Sequence, residues 1–243
     1  MNDAACKNGA LVSQQTWVKE SRFGNWFQAT GMWTGYVLNE ATSDLADLLA
    51  KHPRLTPQKP VVLDAGCGEG AGFTFIETLL DPARIVAIDI DPQMIPRAQS
   101  EAGKVKVPVE VRQGSVQQLT IASETIDVVF CHQTVHHLND QPAALREFYR
   151  VLKPGGLLLM AESCRTFIHS LPVRLLFRHP EGVQKTADEY LDLVTRIGFT
   201  FSNDQVARPY PFWSLPDFGF REWAGLKPSH KEATQVRLIA QLG

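Results

Sequence analysis

The chain has 243 residues, of which 44% are hydrophobic and 21% are charged, and its formal net charge is −2. This composition is that of a globular protein and excludes a disordered, collagen-like or disulfide-scaffold chain. The near-neutral charge offers no basic excess for a nucleic-acid partner, and no apolar run is long enough for stable insertion in a membrane. The length suits one large α/β domain or two small ones.

The cysteines indicate a reduced environment. Cys6, Cys67, Cys131 and Cys164 are widely spaced and form no C-x-x-C pair. The first residues also lack the basic-then-apolar layout of a signal peptide. We therefore expect a cytoplasmic protein with free thiols.

The predicted elements begin with a helical segment that carries several aromatic side chains, and we interpret residues 1–55 as an N-terminal helical cap or lid. From residue 60 onward, short apolar runs alternate with helical patterns, which predicts βαβ units in a mostly parallel sheet over residues 56–243. Strands are predicted at 61–64, 84–88, within 105–111, and at 126–131, 157–161, 199–206 and 235–240. Helices are predicted at 70–80, from Asp91 as N-cap, at 140–152 and at 187–197.

Two of these helices have clear end signals. Thr186 and Glu189 have capping-box spacing, and Gly198 follows the last apolar position of the same helix. The helix at 140–152 is expected to end at the Pro-Gly-Gly sequence of residues 154–156.

A glycine-rich loop follows the first strand and precedes the first helix of the sheet. It contains Gly66, Cys67 and Gly68, and Asp89 stands at the end of the second strand, where its carboxylate can accept both hydroxyls of a ribose. This combination favours a nucleotide-type ligand over a merely tight turn. Because Asp64 and Glu69 flank the loop, a cationic ligand fits better than a pyrophosphate, although a dinucleotide stays an alternative.

The sequence resembles the class I S-adenosylmethionine-dependent methyltransferases, in the broad branch that includes ubiquinone and menaquinone C-methyltransferases. The resemblance covers about residues 60–162. It is carried by Leu63–Gly70, Val86–Pro92, Ile126–Phe130 with Val135–Leu138, and Arg146–Gly156. It implies a doubly wound, seven-stranded Rossmann-like α/β sheet of order 3-2-1-4-5-7-6 with an antiparallel last strand. It also implies S-adenosyl-L-methionine as the cofactor.

The resemblance assigns cofactor contacts by position. The loop residues would contact the methionine part, Asp89 the ribose and Ile90 the adenine. Ser115 and Val116 stand where the family often has an Asp-Ala pair whose acid binds the adenine amino group. The cofactor residues expected from the motifs and the charge pattern are Asp64, Gly66, Cys67, Gly68, Asp89, Ile90, Ser115, Val116 and His132.

The candidate catalytic residues follow strands four and five. His132 is the first choice for a base or for a group that orients the substrate, with a contact to the cofactor or to a loop carbonyl as the alternative. Glu162 is the second candidate. His132, His136 and His137, with Cys131 and Cys164 nearby, can be drawn as a metal site, but no complete tetrahedral set is evident and we expect no metal.

Two segments are predicted to select the acceptor. Residues 165–180 are expected to form a helix kinked at Pro172, and residues 207–230 a second lid insertion. With the aromatic residues of 17–36 and 210–223, they predict a closed apolar chamber, although the same aromatic residues can instead form a satellite core or a homodimer contact. We therefore expect O- or C-methylation of a small, apolar or aromatic molecule.

Three other functions stay open at this point. They are an RNA or protein methyltransferase, a non-methylating S-adenosylmethionine-binding protein, and a nicotinamide-dependent oxidoreductase on the same scaffold. Residues 131–134 read Cys-His-Gln-Thr rather than the Asn/Asp-Pro-Pro-Tyr pattern frequent in amino-group methyltransferases of nucleic acids.

Overall fold

A computed structural model describes residues 18–19, 21–28, 30–211, 214–215, 220–225 and 232–243. Cys6, Trp17, Phe212, Trp213 and Phe218, which the sequence analysis named, lie outside these residues. None of the helices in the described part of the chain has both the length and the apolar character that crossing a bilayer requires.

The centre of the molecule is one sheet in the order β3-β2-β1-β4-β5-β8-β6, with β7 also paired to β8. Its strands are β1 Val61–Ala65, β2 Arg84–Asp89, β3 Val109–Gln113, β4 Ile126–His132, β5 Leu152–Ser163, β6 Phe199–Thr200, β7 Val206–Ala207 and β8 Gln235–Leu242. Strands β1 to β5 pair in parallel, and β8 pairs antiparallel with β5. The predicted α/β class and doubly wound sheet are therefore confirmed.

The sixth predicted strand is split in two. A 3-10 turn at Asn203–Gln205 separates β6 from β7, because Ser202 and Gln205 cap each other's main chain and pull the segment out of the ladder. Both pieces pair with β8. Counted as one interrupted edge strand, they give the expected order 3-2-1-4-5-7-6.

The helices lie on both faces of this sheet and in two segments that extend from it. They are α1 Arg22–Gln28, α2 Asn39–Lys51, α3 Phe73–Leu80, α4 Ile95–Ala102, α5 Gln141–Val151, α6 Arg165–Ile168, α7 Leu171–Leu176, α8 Ala187–Ile197 and α9 Phe220–Trp223. A π-helix at Trp33–Leu38 leads directly into α2. Helix α8 has the predicted bounds, its Thr186–Glu189 capping box, and Gly198 in a left-handed conformation with φ 119°.

Some predicted boundaries were wrong for local reasons. Asp91 does not cap the next helix, because its side chain accepts from the Gln93 N–H in a turn and α4 starts only at Ile95. The Pro-Gly-Gly sequence 154–156 lies inside β5, which is longer than expected. The predicted kinked helix is two short helices, α6 and α7, and Pro172 stands in the first turn of α7, where a missing N–H is harmless.

The sheet buries a different helix layer on each face. Helices α2 and α3 pack on one face and α5 and α8 on the other, so that successive residues Val62 and Leu63 belong to opposite core clusters. This alternation is the expected behaviour of a central strand. Helix α2, predicted as part of a cap, is thus one layer of the core.

A buried ion pair ties α2 to the antiparallel strand. Arg237 of β8 is fully buried, and its Nε lies 3.6 Å from Oδ2 of Asp44 on α2. Its Nη1 donates to Oε1 of Gln235 at 3.1 Å. Removing one partner of such a pair leaves a charge in the core without compensation.

We expect Asp44→Ala to lower the free energy of unfolding by about 3 kcal/mol, because the buried Arg237 would then lose its nearest counter-ion. Asp47→Ala is the matched control, since Asp47 lies exposed on the same helix; its effect should stay within about 0.5 kcal/mol. Urea unfolding of both variants measures the difference. Equal urea midpoints for the two variants would show that the Asp44–Arg237 ion pair does not stabilise the fold by this amount.

Candidate active site

One cavity of about 1210 Å³ opens along the carboxyl ends of the parallel strands. Its wall includes the loop after β1, the end of β2 and the loop after β4. Residues 30–39, around the π-helix, and the segment 167–179 also contribute to it. In doubly wound sheets ligands bind at this edge, where the strand order reverses. Here the reversal lies between β1 and β4, at the middle of the cavity.

The two loop glycines serve different purposes. Gly66 has φ 81°, and a Cβ there would overlap the side chain of Thr134, so that this position is restricted by the protein itself. Gly68 has φ 53°, and a Cβ there would meet no protein atom within 4 Å. Because Gly68 lines the cavity, the open space beside it is space for a ligand.

Asp89 holds this loop in place from the end of β2. Its Oδ2 accepts from the Gly68 N–H at 2.8 Å, and its Oδ1 accepts from the Asp91 N–H, also at 2.8 Å. Each carboxylate oxygen retains a lone pair, and the side chain lines the cavity. Asp89 is therefore positioned both to fix the loop and to accept hydroxyl groups.

Asp64 is a buried carboxyl group at the cavity wall with an unsatisfied oxygen. Its Oδ2 has no hydrogen-bond partner among the described residues. Burial, reinforced by the nearby Asp89, raises the pKa of Asp64 to about 8. A cationic ligand in the cavity would compensate this burial and favour the ionised form.

The remaining predicted cofactor residues divide into two groups. Cys67, Ile90 and Val116 line the cavity, whereas Ser115 does not lie on its wall. The Ser115 hydroxyl instead accepts from the Gln117 N–H at 3.2 Å. Burial raises the pKa of the Cys67 thiol, which therefore stays protonated and is no nucleophile.

His132 stands on the cavity wall where β4 ends. Its ring lies 5.5 Å from the ring of Trp33, and the Val37 carbonyl accepts a hydrogen bond from it. Its Nε2 is buried, and none of the described residues hydrogen-bonds to it. Burial is the largest of the effects that lower the pKa of His132, to about 3, so the ring is neutral at physiological pH and offers an acceptor lone pair.

The structure does not place Glu162 on the cavity wall. Its carboxylate is fully buried, and Oε1 accepts from the N–H groups of Thr134 and Val135 at 2.9 and 2.8 Å. Its Oε2 lies 2.6 Å from Nδ1 of His136. The hypothesis of a catalytic Glu162 is corrected accordingly: this side chain orders the loop after β4.

The two predicted acceptor segments behave differently. The segment around α6 and α7 lines the cavity through Phe167, Val173 and Phe177, as expected of a lid. In the second segment, the described aromatic residues Tyr210, Phe220 and Trp223 are exposed and lie away from the cavity. That part of the predicted chamber is wrong for these residues, and a homodimer contact there stays a prediction.

Sequence reasoning placed the aromatic residues of 17–36 at the chamber but missed the conformation of the segment around Trp33, and it missed His179 altogether. The residues around Trp33 enter the cavity wall through a π-helix, a rare form that no sequence pattern indicated. His179 enters it from the irregular stretch after α7. Among the described residues of the wall there is no lysine and no arginine.

Comparison with known proteins identifies the central region. Residues 63–160 match the methyltransferase domain family. Phosphoethanolamine N-methyltransferase 3 of Arabidopsis thaliana is 35% identical over 147 residues, which cover 60% of this chain and 28% of that protein. A probable S-adenosylmethionine-dependent methyltransferase of Mycobacterium tuberculosis is 32% identical over 148 residues, which cover 60% of this chain and 50% of that protein.

The chain thus spans about a quarter to a half of the length of these curated relatives. A solved S-adenosylmethionine-dependent methyltransferase from Aquifex aeolicus superimposes with a TM-score of 0.59 at 14% identity, over 90% of this chain and 97% of that one. This likeness concerns the fold. Residues 63–160 therefore carry the methyltransferase domain that the sequence motifs predicted, and the mycobacterial relative is named as dependent on S-adenosylmethionine.

Proposed function

We propose that the protein transfers a methyl group from S-adenosylmethionine to a small, apolar or aromatic organic acceptor that carries no phosphate. The observation that carries the proposal is the division of one cavity. Asp64 and Asp89 lie at the end formed by β1 and β2, while apolar and aromatic side chains with neutral histidines line the end below the cap and the lid. Its described wall has no basic residue.

The acidic end fits the cofactor. S-adenosylmethionine carries an ammonium and a sulfonium, and the unpartnered Oδ2 of Asp64 is a buried acceptor that a cation satisfies. The open space beside Gly68 admits the ligand close to the backbone. Asp89 would accept the ribose hydroxyls, and Ile90 and Val116 would enclose the adenine.

The other end fits an acceptor without negative charge. Phe27, Trp33 and Phe177 line it, and aromatic side chains bind flat apolar groups through burial and ring contacts. A phosphorylated acceptor such as phosphoethanolamine, named in the Arabidopsis relative, would need a cationic partner there. RNA would need several.

The chain's own residues would mainly position the reactants. When bound, S-adenosylmethionine supplies an electrophilic methyl group with a neutral thioether as leaving group. His132 would accept a hydrogen bond from an acceptor hydroxyl at its free Nε2 and hold the oxygen in line with the methyl carbon. The lid and cap exclude water from the displacement. O-methylation uses this hydrogen bond directly, and C-methylation uses the hydroxyl that activates a neighbouring carbon.

The first test compares acceptor classes with methyl-labelled cofactor. We expect a phenolic or other apolar hydroxylated acceptor to be methylated with a kcat/KM at least about tenfold above that of phosphoethanolamine, because burying an unpaired phosphate charge is costly. Labelled product, measured by chromatography, gives the rates. Preferential methylation of phosphoethanolamine, or of RNA with a steep loss of rate in salt, would contradict the proposal.

The same assay has a matched pair of variants. Trp33→Ala should raise the acceptor KM about two- to tenfold, which corresponds to about 0.5–1.5 kcal/mol for a lost aromatic contact. Trp26→Ala is the control, because Trp26 is 56% exposed and lies off the cavity wall. Equal KM values for the two variants would place the acceptor elsewhere.

The second test places the cofactor at the loop. We expect Gly68→Ala to weaken S-adenosylmethionine binding about 10- to 100-fold, because the new methyl group would occupy ligand space. Gly155→Ala controls for backbone strain, since Gly155 has φ 75° and equally open surroundings but lies off the cavity wall. Both variants should lose about 1–2 kcal/mol of stability. Calorimetry that finds normal affinity in Gly68→Ala would overturn this placement.

The third test uses the proton on Asp64. Without a ligand the Asp64 carboxyl is protonated below pH 8, and a cationic ligand favours its ionised form, so binding should release a proton. The dissociation constant should therefore fall by about tenfold per pH unit from about pH 5.5 to 7, a range in which the ligand's own ammonium stays largely protonated. In Asp64→Asn the affinity should be weaker and independent of pH. A flat profile in the unaltered protein would exclude Asp64 as the partner of the cation.

A further inference from the structure

Three histidines meet on the cavity wall outside the predicted cofactor contacts. One nitrogen from each of His136, His137 and His179 lies within 4.8 Å of the corresponding nitrogens of the other two. The ring centroids are 4.2 Å apart for His136 and His137, 5.3 Å for His136 and His179, and 4.9 Å for His137 and His179. The sequence analysis considered a different set of side chains as a possible metal site and did not include His179.

The cluster is held from behind by a carboxylate. Oε2 of Glu162 lies 2.6 Å from Nδ1 of His136, so that Nδ1 is occupied by the carboxylate and Nε2 is the ring nitrogen left for another ligand. A carboxylate that bonds the second nitrogen of a histidine is the usual support of a metal-binding imidazole, because it fixes the tautomer and raises the basicity of the ligand.

The other two rings lie close to the same point. The rings of His137 and His179 are stacked at an interplanar angle of 17°. A neutral imidazole presents one lone pair to a metal ion, so three neighbouring rings can share one cation.

We propose that His136, His137 and His179 form a binding site for one divalent transition-metal ion, with Zn²⁺ as the reference ion. Three nitrogen ligands suit Zn²⁺, Co²⁺ or Ni²⁺, whereas Mg²⁺ and Ca²⁺ take oxygen ligands. Zn–N bonds of about 2.05 Å place the nitrogens of a tetrahedral site about 3.4 Å apart. The rings must therefore close by roughly an ångström, which the irregular stretch that carries His179 permits.

An ion at this site would have an open fourth position. All three ligands line the cavity, so the open position faces the space that we assign to the acceptor, and a water molecule or an acceptor oxygen would occupy it. A hydroxyl bound to a divalent cation gives up its proton more readily. This would complement His132, whose low pKa makes it a weak base.

The experiment measures metal binding itself, in protein without a polyhistidine tag. The full chain is stripped with a chelator and titrated with Zn²⁺ in competition with a chromophoric indicator, and Co²⁺ is followed by its visible absorption. We expect one ion per chain and no competition from an equal concentration of Mg²⁺. His179→Ala should weaken Zn²⁺ binding at least about a hundredfold, because altering even an outer partner of a ligand costs 10- to 100-fold.

His169→Ala is the matched control, since His169 is an exposed histidine of the same lid and is not part of the cluster; its affinity for Zn²⁺ should be unchanged. Circular dichroism verifies that each variant is folded, and His137→Gln replaces His179→Ala if the latter is not. Absence of stoichiometric Zn²⁺ binding, or equal affinities in cluster and control variants, would overturn the site. Either result leaves the assignment of the cofactor end untouched, because that assignment rests on Asp64, Gly68 and Asp89. The exclusion of phosphorylated acceptors applies to the metal-free cavity, since a bound cation would supply the partner that a phosphate needs.

Discussion

The buried carboxylate of Glu162 is the constraint on which the polar wall of the cavity depends. It is the acceptor for the main-chain N–H groups of Thr134 and Val135 and the partner of the His136 ring, all in the loop after β4. Left without it, these groups would be buried and unpaired, at about 1–3 kcal/mol each. In the same loop, Thr134 lies against Gly66. The Glu162 side chain on β5 therefore determines how closely the loop after β4 approaches the glycine-rich loop after β1.

The protonation states of the ionisable side chains in the cavity are determined more by burial than by ion pairs. At one end, burial keeps the carboxyl of Asp64 protonated in the absence of a ligand. At the other end, burial keeps His132 and His179 neutral. The described wall carries several carboxyl groups and no lysine or arginine, so a cationic ligand is favoured and forms an ion pair at the Asp64 end. This is a physical basis for selecting a sulfonium cofactor over a nicotinamide dinucleotide, whose pyrophosphate would meet two carboxyl groups.

The features that the sequence predicted depend on residues close together in the chain, whereas the features that it missed depend on contacts between distant residues. The strand, the glycine loop and Asp89 lie within 30 residues and are fixed by local rules of turn and strand geometry, so the sequence could predict that they lie together, as they do on the cavity wall. The capping box of α8 is equally local. His179 and the π-helix that carries Trp33 reach the wall only through tertiary packing, which no periodicity encodes. Ser115 was predicted to contact the cofactor, but its hydroxyl forms a hydrogen bond within its own loop.

An ion pair followed by a series of hydrogen bonds links α2 to the cavity wall. Asp44 pairs with Arg237, Arg237 donates to Gln235, and Gln235 bonds both Ser163 and Gln133. Gln133 lies on the cavity wall with φ 53°, a left-handed conformation that disfavours a residue with a side chain. Its N–H donates to the Ala161 carbonyl at 2.8 Å, and its Oε1 accepts from Ser163 at 2.6 Å. Because Arg237 and Gln235 of strand β8 connect Asp44 on α2 with Gln133, the strain at Gln133 and the position of α2 are held by one polar network. This network keeps α2 and the loop after β4 in a fixed relation.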